Sequence, residues 1–141
     1  MKKLHLIIVL ILLAISSLGI HAAEQSQTAQ SDGEIRSKVV GTWVVDLQSP
    51  NGMSMKGTVT IASGDKFVTK MILTMGDRKQ EMNIEGTWET KDGFLVETIT
   101  KSDSKLAAVG SVTRDKIIRV DDQELVYQTE QGKTVTRRRS K

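Results

Sequence analysis

Apolar and polar residues alternate along most of this chain, at the spacing of strands with one buried face. From residue 39 onward the alternation predicts strands over 40–48, 55–63, 66–75, 79–90, 94–102, 107–113, 116–120, 124–129 and 133–139. The sixth and seventh read either as one bent strand or as two. Turn residues punctuate the series: Pro50-Asn51-Gly52, Gly64-Asp65, Gly76-Asp77, Asp121-Asp122 and Gln131-Gly132. Lys91-Asp92-Gly93 contains the Asp-Gly step favoured in tight hairpins. Short strands at hairpin spacing, with no helix between them, describe an antiparallel meander. About eight strands leave two sheet edges to hide, and closure into an up-and-down β-barrel hides both. The expected fold is therefore all-β, a closed antiparallel barrel with a short N-terminal helix. Ser31 or Asp32 would cap that helix, which would run through Val39 with Glu34 in its first turn.

The alternation also assigns faces. Gly41, Trp43, Val45 and Leu47 share one side of the first strand, and Met55, Gly57, Val59 and Ile61 one side of the second. Phe67, Thr69, Met71, Leu73 and Met75 line up on the third, and Met82, Ile84, Gly86 and Trp88 on the fourth. Lys56, Lys70, Asn83 and Glu85 fall on the opposite, solvent side. The fifth strand is ambiguous: Phe94, Val96 and Thr98 lie on one side, Leu95, Glu97 and Ile99 on the other. If the second set points inward, Glu97 is a buried acid.

The first 22 residues carry a different pattern. Met1-Lys2-Lys3 is a positive start, residues 4–15 are almost wholly apolar, and Ile20-His21-Ala22-Ala23 offers cleavage after Ala22 or Ala23. This reads as a cleavable signal peptide (1–22), followed by a polar flexible leader (23–34) and one barrel domain (35–141). The expected location is periplasmic or secreted, with no membrane association after cleavage. The chain has no Cys, which excludes a lipid-anchored N-terminal cysteine and any disulfide.

Removing residues 1–22 from the 141 leaves 119, enough for one domain with one core. It also leaves 18 basic against 17 acidic residues, so the mature charge is +1 and implies no pull toward nucleic acid. Both histidines, His5 and His21, lie in the signal. A mature chain without His or Cys cannot perform Ser-His-Asp or Cys-His catalysis and lacks the usual zinc ligands. The expectation is a non-enzymatic protein without a cofactor.

Gly-Thr-Trp occurs at 41–43 and again at 86–88. The flanking residues do not align, so these mark two similar strand positions and not a duplicated domain. Val39-Val40-Gly41-Thr42-Trp43, just after a short helix, resembles the Gly-x-Trp first strand of the calycin superfamily, which includes the lipocalins. The closest likeness is to the small lipocalin-like domain of exported bacterial proteins. Gly86-Thr87-Trp88 followed by Asp92-Gly93-Phe94-Leu95 is similar to that domain's Gly-x-Trp-x-x-x-x-Gly hairpin. The likeness covers most of residues 35–139. It implies that Trp43 plugs one end of the barrel under an arginine from the last strand. Val135, Arg137 and Arg139 share a face there, which makes Arg137 the first choice and Arg139 the second. Trp88 is the companion structural residue. The chain lacks the disulfides of classical secreted lipocalins and is shorter than they are.

Three further features have a sharp and a bland reading. Met53, Met55, Met71, Met75 and Met82 could offer thioethers to Cu(I), but flexible core filling or the wall of an apolar cavity explains them more simply, so no metal site is assigned. Arg137-Arg138-Arg139 could meet phosphate but reads as a solvated strand end. Glu81, Glu85 and Glu89 share a face that most simply meets water. Two functional expectations follow. A small apolar or amphipathic ligand could bind in the barrel, lined by Met55, Val59, Met71, Leu73, Met82 and Ile84. Alternatively the chain is an inhibitor-like or chaperone-like module that meets a protein partner through its loops or leader.

Overall fold

A computed structural model describes residues 30–141. The segment expected to be a signal peptide, and most of the segment expected to be leader, lie outside the described residues. Helix α1 (Asp32–Val39) opens the described chain and starts inside the segment expected to be leader. Ser31 caps it in a full capping box, donating from its backbone N–H to Glu34 (3.0 Å) and accepting from the Glu34 N–H. Ile35 and Val39 are its buried residues.

Eight antiparallel strands follow: β1 (Gly41–Gln48), β2 (Met53–Ile61), β3 (Lys66–Met75), β4 (Arg78–Lys91), β5 (Phe94–Ser102), β6 (Val112–Val120), β7 (Glu124–Gln128) and β8 (Thr134–Arg139). Each pairs with its neighbour in sequence, and β1 pairs β8, so the barrel is closed. The expected strand at 107–113 does not form. Residues 103–111 are a loop, and β6 takes in both 112–113 and 116–120 as one strand. The Ser104 side chain accepts the Leu106 N–H (3.2 Å), and Ala107 N–H reaches the Ser104 carbonyl (3.3 Å), which satisfies the loop backbone locally.

The inward face is the predicted one. Trp43, Val59, Ile61, Phe67, Leu73, Met82, Ile84 and Trp88 are all buried, while Lys56, Lys70, Asn83 and Glu85 stand in solvent. Leu47 and Met75 are exposed despite their inward parity, because they lie at the strand ends by the hairpin rim. In β5 it is Leu95, Glu97 and Ile99 that turn inward: Leu95 is buried, and Glu97 faces Thr113 of β6.

One end of the barrel is sealed. Arg139 lies 4.2 Å from the centroid of the Trp43 ring and donates to the carbonyls of Lys38 (2.7 Å), Val40 (2.9 Å) and Asp122 (2.9 Å). This corrects the assignment of Arg137 to Trp43. Arg139 pairs directly with Trp43 across the β1–β8 ladder, whereas Arg137 is two residues nearer the other end. Gly41 is required where it stands: it has φ +146°, and a side chain there would occupy the space of the Arg139 guanidinium.

The second Gly-Thr-Trp repeats the device with other partners. Arg36 of α1 lies 4.8 Å from the Trp88 ring centroid and pairs with Asp65. Each indole N–H donates to a backbone carbonyl, Trp43 to Val39 (2.8 Å) and Trp88 to Ala62 (2.9 Å). Asp32 accepts the N–H groups of Asp92 and Gly93, both at 2.9 Å, and so pins α1 to the β4–β5 turn.

Candidate functional site

The opposite end is not sealed, and the reason is the uneven ladder between the first and last strands. β1 pairs with β2 along its whole length, Gly41 to Gln48. It pairs with β8 only through Trp43–Arg139 and Val44–Arg138. Above that point the edges of β1 and β8 face each other without a ladder and form a seam.

A cavity of about 190 Å³ lies inside the barrel and reaches this seam. Its lining shows the seam directly. From β2, β3 and β5 it takes alternate residues, Met55 and Val59, then Phe67, Thr69 and Met71, then Glu97 and Ile99. From β1 and β8 it takes consecutive residues, 44–47 and 135–137. A paired strand shows a cavity only every second residue. Consecutive residues mean that the cavity passes between these two strands. A second hollow of about 450 Å³ is lined by residues 46–48 and 133–136, the same two edges.

Of the six expected ligand-binding residues, Met55, Val59, Met71 and Ile84 line the cavity. Leu73 and Met82 do not. They point inward but sit in the filled part of the core, each almost fully buried, with Met82 directly opposite Met71 and Leu73 opposite Met55. The register also sets Met53 opposite Met75 at the rim. Among the described residues, no group of three or more His, Cys, Asp or Glu side chains is arranged to hold a metal ion. Trp43 and Trp88 belong to the sealed end.

The wall opposite the methionines is polar, and only its Glu97 was anticipated from the sequence. Glu97, Tyr127 and Arg137 line the cavity, and Asp115 is buried beside them. Arg137 stacks 4.9 Å from the centroid of the Tyr127 ring. Burial, then the charge of Glu97, push the Asp115 carboxyl up to about 6, against the opposing pull of Arg137. Burial raises the Tyr127 hydroxyl as well. Burial alone would lower the Arg137 pKa, but Tyr127, Glu97 and Asp115 outweigh it and hold the guanidinium firmly charged.

Two atoms in this wall are unusual. Oε1 of Glu97 and Nη1 of Arg137 are buried, and neither makes a hydrogen bond to another protein group. Buried polar atoms are nearly always paired, because desolvation without a partner is costly. An acceptor and a donor without a protein partner beside one cavity are free to meet a water or a ligand there. A sequence signal for half of this existed: Glu97 breaks the apolar run of its face. Asp115 and Arg137 gave none beyond alternation.

The carboxylates Glu81, Glu85 and Glu89 stand exposed on the outer face of β4, where Glu85 pairs with Lys101 at 2.8 Å. They are remote from the cavity wall by parity. Among the described residues no helix is long and apolar enough to cross a membrane. No protein-family model matches the chain, and no curated protein matches it.

Proposed function

We propose that this chain is an exported, non-enzymatic barrel of lipocalin-like type that holds one small, largely apolar molecule in its interior. The observation that carries this reading is the cavity itself, which has an apolar wall of Met55, Val59, Met71 and Ile84 facing two unpaired polar atoms. Small-molecule sites combine these features: an apolar lining for affinity and a few placed polar groups for orientation. Methionines suit such a wall because they adapt to ligand shape. The size sets the class of molecule. A dry engineered cavity of about 150 Å³ accepts benzene, so this one suits a ligand of roughly eight non-hydrogen atoms. The signal-like pattern of residues 1–22 supports export.

The seam supplies a route of access, since a ligand can pass between β1 and β8 without unfolding the sealed end. It also favours a second reading. Unpaired strand edges can accept an extended peptide from a partner protein. Native mass measurement of the protein taken from its own cell, before and after denaturation, tests both. A small adduct lost on denaturation supports the carrier reading. A stoichiometric polypeptide supports the second. A bare monomer of unmodified mass counts against both, and a denatured mass that still includes residues 1–22 counts against export.

A further inference from the structure

The chemistry of the polar wall narrows the ligand further, an inference that rests on the cavity being a ligand site. We infer that the bound molecule carries an uncharged polar end with a hydrogen-bond donor and acceptor on neighbouring atoms, of which a primary carboxamide is the simplest, seated between Glu97 and Arg137.

Both unpaired atoms must be satisfied, and they ask for opposite things. The open Oε1 of Glu97 stands as an acceptor, and Nη1 of Arg137 can only donate. A carboxylate ligand has acceptors only. It would satisfy Arg137, leave Glu97 open and bring a third negative charge next to Glu97 and Asp115. An ammonium ligand has donors only. It would satisfy Glu97, leave Nη1 open and stand against the Arg137 charge. A carboxamide offers its oxygen to Arg137 and its N–H to Glu97, which closes both.

The charge balance points the same way. Buried Asp115 and half-buried Glu97 both act on the half-buried Arg137, and Glu130 adds a further negative influence on Asp115. Arg137 therefore already has its countercharge within the protein, without forming an ion pair to either carboxylate among the described residues. The rest of the cavity accommodates a short apolar tail over Met55 and Met71, with the seam open to a longer one.

The test is a titration of the isotope-labelled protein with four probes, hexanamide, hexanoate, hexylamine and benzene, followed through the amide NMR signals of Thr69, Met71, Glu97 and Arg137. Hexanamide is expected to bind at least tenfold tighter than either charged analogue. In Glu97→Gln the preference should turn toward hexanoate, gaining tenfold or more, because one acid is gone and the new side chain donates. Equal or tighter binding of hexanoate or hexylamine by the native protein overturns the inference. If benzene binds and the three head groups are not distinguished, the inference fails while the cavity reading stands. If no probe shifts those signals, both fail together.

Discussion

Replacing Asp115 by asparagine should stabilise the barrel at neutral pH and not in acid. Asp115 is 9 % exposed, and its carboxyl sits at about 6 instead of the ordinary 3.8. The folded protein therefore holds this proton more tightly than the unfolded chain does. Below pH 3.8 both states are protonated, and the buried group carries no ionisation cost. As pH rises through about 6 the folded carboxyl must ionise while still desolvated, so the stability present in acid is lost. The interval from 3.8 to about 6, at about 1.36 kcal/mol for each pH unit, amounts to about 3 kcal/mol. Residual solvent contact and local relaxation screen part of it, which leaves about 2 kcal/mol as the working figure.

The assay is urea unfolding of both proteins from pH 3.5 to 7.5. The quantity read is the difference between them at each pH. A constant offset from the new amide drops out of the change in this difference with pH, as do titrating groups that do not interact with Asp115. The difference should grow in favour of Asp115→Asn by about 2 kcal/mol across that range, or about 8 °C in Tm. Asp103→Asn provides the opposite sign. Hydrogen bonds from the Asn83 backbone (2.8 Å) and side chain (2.7 Å) hold Asp103 below its ordinary value. Its stabilising contribution is present above pH 3.8 and lost as pH falls, so that variant should lose stability at neutral pH relative to acid. A pH-independent difference for Asp115→Asn would refute the assignment of a buried, charge-crowded carboxyl.

The sealed end and the seam give further expectations. Arg139→Ala removes the cover of Trp43 and three bonds to carbonyls, and should cost about 3 kcal/mol in denaturant unfolding, with Arg139→Lys recovering less than half because it lacks the planar fork. Gly57→Ala should cost about 2–3 kcal/mol in the same assay, since a Cβ there would lie 2.7 Å from the Met71 Cα and against the Lys70 carbonyl, both backbone. Extending the β1–β8 register places Asp46 opposite Thr136, so the double variant Asp46→Cys with Thr136→Cys should form a single disulfide in this cysteine-free chain. Oxidation should then slow ligand association at least tenfold, reversed by reduction, and unchanged rates would exclude the seam as the route.

Alternation and turn residues were enough to read the barrel, because each hairpin stands on local signals. The Asp92-Gly93 turn is one: both residues have positive φ, 55° and 77°, the conformation that step favours. Residues 107–111 were misread as strand because their apolar residues imitate one, while Ser102 and Ser104 supply the local hydrogen bonds that the 103–111 loop needs. Arg137 and Arg139 share parity, so alternation could not choose between them. The choice depends on the stagger of the closing ladder, which no single strand encodes. The same limit hid the polar wall beyond Glu97. Glu97, Asp115 and Arg137 come from β5, β6 and β8, and only closure of the sheet brings them to one cavity.

The two ends of the barrel divide the work, and the division explains why the seam can exist. A β1–β8 ladder of two residue pairs would be a weak closure if it stood alone. Arg139 makes it strong, because one side chain ties β8 to α1, to the start of β1 and to the β6–β7 turn. With closure secured there, the remaining edges of β1 and β8 need not pair to keep the barrel intact. Arg137 lies on the open stretch of β8, directly above the last paired residues, with its head inside the cavity. The residue that would meet a ligand's polar end is thus adjacent to the gap through which the ligand would come. A packed barrel of this size would gain stability by zipping the seam and replacing Glu97, Asp115 and Arg137 with apolar side chains. An open edge beside a charged cavity wall is what the proposed ligand site needs, and a filled barrel has no use for it.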